Sequence, residues 1–400
     1  MNLFLEVVPV SEAVEVVRKI APSPGREDIA LEAALSRTLA EDISADIDIP
    51  GFDRSTVDGY AVAAADTTGA SEAIPSMLQC LGRIGMGSAD PGSISPGSCR
   101  YVPTGGALPE GADAVVMIEH AEVIGDDVLV HRPVAPGENV VLRGEDFRAG
   151  EVVLERGRVL SPREIGVAAA IGADRVPVAV PPVIGIISTG NEVIPVAGIP
   201  GPGEVRDANS YLAGAFVADR GCLPIYFGII KDEREALASA ISSALDRCDA
   251  VLVSGGSSKD ERDATATVIA DLGEVLVHGI AIAPGKPTII GVARGKPVIG
   301  LPGHPASAYV VLVAIVDHLL AAMRRTWISR RTLRASLAQN IPSARGREDY
   351  IRVRLDGGRA TPVFGKSGLL NTLVQSEGLV RIPASSEGLE MGEEVEVILW

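Results

Sequence analysis

Two stretches of the chain, Val183-Ile184-Gly185-Ile186-Ile187 and Ala250-Val251-Leu252-Val253, are apolar throughout and end abruptly in small polar loops. Those loops are Ser188-Thr189-Gly190 and Ser254-Gly255-Gly256. A strand that is apolar at every position must be covered on both faces, the situation of a parallel sheet with helices on either side. The surrounding text alternates accordingly, predicting a helix over Ser210 to Arg220, a strand over Leu223 to Ile230 and a helix over Glu233 to Leu245. Residues 181–325 therefore read as a doubly wound α/β domain.

A chain of 400 residues is too long for one ordinary core. Residues 1–43 read as helical, with Ser11 as N-cap and Ile29 to Leu39 continuing at helical spacing. Residues 44–143 change to short apolar runs broken by Gly and Pro, such as Ala114-Val115-Val116-Met117-Ile118 and Asp127-Val128-Leu129-Val130, which predicts a β-rich insertion. The first region resumes over 144–180 as helix plus strand, so it is split around the insertion. Residues 326–400, with the alternating Tyr350-Ile351-Arg352-Val353-Arg354 and the closing run Glu393 to Trp400, read as a small β-barrel. The expected fold class is thus multidomain α/β plus β.

The formal net charge is −16, from 36 basic and 52 acidic side chains. Nucleic-acid binding requires a basic surface that neutralises phosphates, so this balance argues against it. An anionic ligand would have to be met by local Lys, Arg and backbone N–H groups. Cys80, Cys99, Cys222 and Cys248 form no C-x-x-C pair, which argues against a zinc site or a disulfide framework. Met1 to Glu6 reaches a charge too early for a secretory signal, and the apolar run Ala306 to Met323 contains Asp317 and His318 and is short for a spanning helix. No membrane association and a cytoplasmic location are expected.

The polar chemistry is concentrated in loops. Pro50-Gly51-Phe52-Asp53-Arg54-Ser55-Thr56-Val57-Asp58-Gly59-Tyr60-Ala61-Val62 places carboxylates, a guanidinium and hydroxyls between a turn and a short strand. Ser188 to Glu192 and Ser254 to Asp263 follow strands directly, where open α/β sheets bind ligands. The paired Gly255 and Gly256 let backbone N–H groups approach an anion. The competing reading of each loop, an ordinary strand–helix connection, stands beside this one. Pro284-Gly285-Lys286-Pro287 displays a lysine on a rigid turn, and Leu301-Pro302-Gly303-His304-Pro305 leads from a strand into a helix with Pro305 in its first turn. Thr104 before Gly105-Gly106 is a further anion-loop candidate, with Glu119 and Arg143-Gly144-Glu145-Asp146 beyond it. A P-loop is excluded: Ala360 stands where Gly365-Lys366-Ser367 would need its leading glycine, and Gly285-Lys286 runs into Pro287. No G-x-G-x-x-G follows the first α/β strand.

Taken together, the block Pro50 to Val62, Thr104 to Val116, Arg143 to Asp146, Ser188 to Glu192, Asp207-Ala208-Asn209, Ser254 to Asp263, Pro284 to Pro287 and Leu301 to Ala308 closely resemble, in the same order, the blocks of the molybdopterin molybdotransferases, whose relatives include the E domain of gephyrin. The resemblance implies four domains in an elongated homodimer. It also implies insertion of molybdate, or tungstate, into adenylylated molybdopterin with release of AMP and a requirement for Mg2+. By the same resemblance, Asp58, Thr104, Glu192, Asp207 and Asp263 are expected to be catalytic, with Glu192, Asp207 and Asp263 near the metal. Asp146, Glu119, Ser188, Thr189, Gly255, Gly256, Lys286, Pro302, Pro305 and Ser367 are expected to bind substrate, with Asp58 and Thr104 reaching the cleft from a facing subunit. A molybdopterin adenylyltransferase is the implied upstream partner. This chain departs from the family at Ala283 and Gly279, where lysines are usual, at His304, where asparagine is common, and at Asn191, where aspartate is common. Two alternatives remain: a molybdopterin-binding scaffold or carrier without transferase activity, and an unrelated pyrophosphate hydrolase using the two anion loops.

Overall fold

The apolar strands of the α/β domain are apolar at every position because their alternate side chains enter two different cores. Ile184, Ile186 and Leu252 pack with helix residues Ala213, Phe216, Val310 and Leu319 on one face of the sheet. Ile187, Val251 and Val253 pack with Leu237, Ile241, Ala266 and Ile269 on the other. The computed structural model from which these contacts are read describes residues 7–88, 90–255, 259–328 and 330–400, and only the backbone of 259–263.

The sheet has six strands in the order Leu223–Ile230, Val183–Thr189, Ala250–Ser254, Lys296–Leu301, Ile289–Ala293, Gly273–His278. The first four are parallel, and the last two run antiparallel to their neighbours, so the sheet is mixed at one edge. The helices Asn209–Asp219, Arg234–Arg247 and Lys259–Leu272 supply the crossovers. Pro305–Met323 forms one 19-residue helical stretch, apolar enough to cross a membrane by length and composition, but 78% of its most apolar window is buried inside the protein. It is a core helix, and burial on all sides accounts for its apolar composition.

Three β units surround this domain. The insertion is a six-stranded sheet in the order Ala114–Met117, Gly59–Val62, Ser98–Val102, Ser76–Arg83, Asp127–Val130, Ala121–Ile124. The C-terminal unit is a 5-strand barrel, closed by pairing of Glu348–Asp356 with Gly378–Ile382. The strand Ile282–Ala283 of the α/β domain adds in parallel to Glu348–Asp349 of that barrel. The third unit pairs Arg26–Ala30 with Arg175–Ala179 and carries the helix Pro162–Ala170, which opens with a capping box from Ser161 and Glu164.

The N-terminal region differs from its sequence reading. Its helix is Val10–Ile20, with Pro9 preceding it, so Ser11 lies in the first turn and provides no side-chain cap. Beyond it, Ile29 lies in a strand, and only the short 3-10 turn Leu31–Ala33 is helical. Pro22 and Pro24 stop the helix, and the apolar spacing that mimicked its continuation is satisfied by a small cluster of Ile29, Leu31, Ala34 and Leu39 with Val176 and Val178.

A buried charge cluster joins three units. Asp317, at the surface of the core helix, accepts from Arg220 Nε at 2.8 Å and faces Arg330 Nε at 3.5 Å. Next to it, Arg18 Nη2 of the first helix donates to His318 Nδ1 at 2.9 Å. Burial, reinforced by the Arg330 and Arg18 guanidinium groups, pushes the His318 imidazole down to about 4.

Two expectations follow. A Cβ at Gly59 would sit 2.1 Å from the Val116 carbonyl oxygen, so Gly59→Ala forces its strand from Ala114–Met117 and destabilises by about 3 kcal/mol, readable by urea unfolding. Because the folded pKa of His318 lies below its unfolded value, stability held by the neutral ring is complete above pH 6.5 and is lost as pH falls toward about 4. His318→Gln, which keeps an acceptor for Arg18, flattens the slope of unfolding free energy against pH in that window.

Candidate functional site

The carboxyl ends of three neighbouring parallel strands define the site. Ser188 is in register with Ser254, and Ser254 with Leu301, so the polar loops that follow them emerge side by side. In an open α/β sheet this edge is the ligand-binding edge. The loop before the helix Asn209–Asp219 locks these ends together. The buried Asp207 carboxylate accepts from Ser188 Oγ at 3.0 Å, from the Ser210 backbone N–H at 3.1 Å and from Ser210 Oγ at 2.5 Å. Two residues later, Asn209 Nδ2 donates to Ser254 Oγ at 2.8 Å and to the Gly303 carbonyl at 2.7 Å. Its Oδ1 is buried with no partner among the described residues.

Two clefts meet at this edge. One, of about 740 Å³, lies between the strand ends and the barrel and is lined by Lys286, Arg345, Arg347, Ser307 and Ser367, with Pro302 in its wall. The other, of about 650 Å³, is lined by Ser188, Thr189, Glu192, Asp207, Asn209 and Pro305. They share Gly255, Gly303 and His304. The first presents cations and hydroxyls; the second presents the carboxylates of Glu192, Glu204 and Asp207 and neutral polar groups, with Arg206 among them. Glu192 is half-buried and makes no side-chain hydrogen bond among the described residues. No group of three His, Cys, Asp or Glu gathers closely enough to hold a metal ion among those residues.

The insertion carries a separate polar group. Asp58 Oδ1 accepts from the Thr104 backbone N–H at 2.7 Å and from Thr104 Oγ1 at 3.1 Å, fixing the turn before Gly105, whose φ is 79°. Only glycine adopts that φ at little cost. Glu119 follows on the exposed 3-10 turn Ile118–His120, whose first N–H donates to the Asp58 carbonyl at 3.1 Å. The other carboxylate of the opening block is part of the framework: Asp53 Oδ1 accepts from the Arg143 N–H at 2.7 Å, while Arg143 Nε donates to Asp48 at 2.8 Å. The Ala149 N–H and then the Arg143 guanidinium hold the Asp48 carboxyl below the usual carboxylate range. Asp146 is exposed on the same junction, its N–H donating to the Ile49 carbonyl at 3.0 Å.

Of the residues singled out from the sequence, the two clefts bring together Ser188, Thr189, Glu192, Asp207, Gly255, Lys286, Pro302, Pro305 and Ser367. Asp58, Thr104, Glu119 and Asp146 line neither cleft of their own chain. Gly256 and the Asp263 side chain lie outside the described residues. Sequence reasoning missed Arg345 and Arg347, and gave no individual role to Ser307 and Asn209, which lie in blocks it had singled out. Arg345-Gly346-Arg347, two cations about a glycine just before a strand, was the available signal. The departures have local reasons. Asn191 exchanges hydrogen bonds with Asp232, at 2.9 Å and 3.4 Å, where an aspartate would meet a like charge. His304 Nδ1 lies 2.9 Å from Ser367 Oγ and so links the α/β loop to the barrel.

Fold and site together define an α/β protein with two joined clefts at the carboxyl edge of its sheet. Residues 8–172 match the MoeA N-terminal region (domain I and II), residues 185–322 the family described as "Probable molybdopterin binding domain", and residues 334–400 the MoeA C-terminal region (domain IV). The chain is 33% identical to the molybdopterin molybdenumtransferase of Bacillus subtilis, over 98% of this chain and 94% of that one. It is 35% identical to a molybdopterin biosynthesis protein of Methanocaldococcus jannaschii over 100% of both chains. The crystal structure of the molybdopterin biosynthesis moeA protein of Pyrococcus horikoshii OT3 superposes with a TM-score of 0.89 at 34% identity, covering 99% of this chain and 100% of that one. The chain belongs to the MoeA family of molybdopterin molybdenumtransferases.

Asn209→Asp exchanges the amide donor for a carboxylate oxygen against the Gly303 carbonyl. The expected loss is about 1–3 kcal/mol of unfolding free energy by chemical denaturation, and a protein of unchanged stability would mean that this junction does not hold the strand ends.

Proposed function

We propose that this chain inserts molybdate into adenylylated molybdopterin, releasing AMP and forming molybdenum cofactor. The observation that carries the reading is the pairing of a cation-lined cleft with one in which Glu192, Glu204 and Asp207 outnumber Arg206, across the shared Gly255, Gly303 and His304. An oxyanion and a pterin pyrophosphate have to meet at neighbouring positions for this reaction, and two joined clefts of these sizes supply such positions.

In this reading Lys286 and Arg347 attract the oxyanion as charged donors, and Ser307 and Ser367 donate hydroxyl hydrogen bonds. Arg347, whose Nε and Nη2 lie against the Asp349 carboxylate at 3.0 Å and 3.4 Å, is left with its Nη1 donors for a tetrahedral anion. These groups offset the missing lysines at Ala283 and Gly279. Backbone N–H groups at the strand ends approach the substrate phosphates, and the free Asn209 Oδ1 accepts an N–H from the bound pterin. Asp207 holds Ser188 and the start of its helix in place, so the loop needs little reorganisation as charge develops.

Glu192 and Asp207 are oxygen donors of the kind that suits Mg2+. Asp207 has three of its lone-pair positions occupied and retains one, and Glu192 is unencumbered, so the residues present fit a hard cation whose shell substrate and water oxygens would complete. Bound there, the cation would neutralise charge on the phosphoanhydride that is cleaved.

Asp58 and Thr104 lie in the insertion, away from both clefts of their own chain, which supports a homodimer in which each insertion faces the partner's clefts. A cytoplasmic location and delivery of the substrate by a molybdopterin adenylyltransferase belong to the same proposal. It is tested by following AMP release from adenylylated molybdopterin with magnesium: release that depends on molybdate or tungstate supports it, and tight binding with no release points to a carrier. Lys286→Gln and Arg347→Gln are each expected to raise the KM for molybdate roughly ten- to a hundredfold, the value of one hydrogen bond to a charged group. Mixing Asp58→Ala with Asp207→Ala chains is expected to recover part of the activity that each lacks alone, because a mixed dimer retains one intact site.

A further inference from the structure

Among the described residues, one titratable side chain lines both clefts. Apart from His304 they share Gly255 and Gly303, which carry no side chain that could hold charge. His304 is exposed and precedes the helical stretch that begins at Pro305, without capping it through its side chain. One of its ring nitrogens is committed: Nδ1 lies 2.9 Å from Ser367 Oγ. The Ala306 N–H donates to the Ser367 carbonyl at 3.1 Å, so the barrel loop is tied to the same helix start and the ring is held between two fixed elements. The other nitrogen, Nε2, makes no hydrogen bond or ion pair among the described residues.

The charges around this ring come from both clefts. Lys286, Arg345 and Arg347 line the first with it, and Glu192, Glu204, Asp207 and Arg206 line the second. Lys366 is exposed beside Ser367 in the barrel loop, and the helix start adds partial positive charge. The lysines, arginines and helix start oppose a proton on the ring, and the three carboxylates favour one. Of these side-chain types, imidazole alone ordinarily changes its charge near neutrality. Resting on the oxyanion reading above, we propose that His304 is a proton-dependent anion ligand of the first cleft. On this proposal the ring takes a proton from solvent as a tetrahedral oxyanion enters, keeps Nδ1–H on Ser367 Oγ and donates Nε2–H to the anion. No covalent bond to the anion forms or breaks. Ala283 leaves the wall of this cleft without the lysine usual there, so a conditional charge stands in for a fixed one. The sign follows from linkage: a bound dianion favours the charged ring, so affinity is greatest at low pH and falls as pH rises through the imidazole range.

The test titrates molybdate calorimetrically into the full-length protein between pH 6 and pH 8, in buffers of different ionisation enthalpy, which counts the protons taken up. Wild-type protein should bind about tenfold more weakly at pH 8 than at pH 6, with uptake of up to about one proton per molybdate. His304→Asn, permanently neutral, and His304→Lys, permanently charged over this range, should each lose both the slope and the proton uptake. Lys286→Gln should weaken binding at every pH and keep the slope. Thermal unfolding confirms that each variant is folded, and if one His304 variant is not, the other decides. Wild-type affinity that is equal at pH 6 and pH 8 with no proton uptake overturns the inference and leaves the function standing. A slope that persists in a folded His304 variant does the same, because it belongs to another group. Absence of molybdate binding at every pH overturns both this inference and the oxyanion reading beneath it.

Discussion

The junction at Asp207 and Asn209 governs the geometry of everything around it. Parallel strands end in loops that nothing in the sheet itself orients, because the ladder stops where the ligand must bind. Here two side chains two residues apart complete the job: Asp207 fixes the end of Val183–Thr189 to the start of a helix, and Asn209 fixes Ser254 and Gly303 to one another. Since these bonds are buried, water does not compete with them, and each is worth more than it would be at the surface. The clefts on either side inherit their spacing from this junction.

Electrostatics then assigns the clefts different work. The protein as a whole is strongly acidic, yet Lys286, Arg345 and Arg347 converge where the α/β domain meets the barrel. A local positive field inside a negative envelope admits anions to one place and discourages them elsewhere. The carboxylates of the neighbouring cleft sharpen the contrast, and the backbone between them, Gly255 and Gly303, belongs to both.

Much of this was legible in the chain. The unbroken apolar runs announced a sheet covered on both faces, and the polar loops after Ile187 and Val253 announced where the two clefts open. Ile29 to Leu39 misled, since a helical spacing of apolar residues was met by a small cluster around a strand. The contribution of Arg347 was harder to read for a different reason: it comes from a barrel distant in sequence, and the parallel addition of Ile282–Ala283 to Glu348–Asp349 brings it to the cleft of Lys286. Asp53 and Asp58 are close in sequence, yet Asp53 serves the framework of Arg143 while Asp58 orders Thr104.

That shared ladder between the α/β domain and the barrel has a mechanical meaning. A hinge between the two would have to break backbone hydrogen bonds, including the one from the Glu348 N–H to the Ala281 carbonyl at 2.8 Å. The gap that Arg347 and Lys286 overlook is therefore of fixed width, a gauge and not a jaw. In the proposed reading, discrimination among anions in such a gap falls to radius and hydration, settled before any chemistry begins, and traffic through it is set by side-chain rotation at its rim.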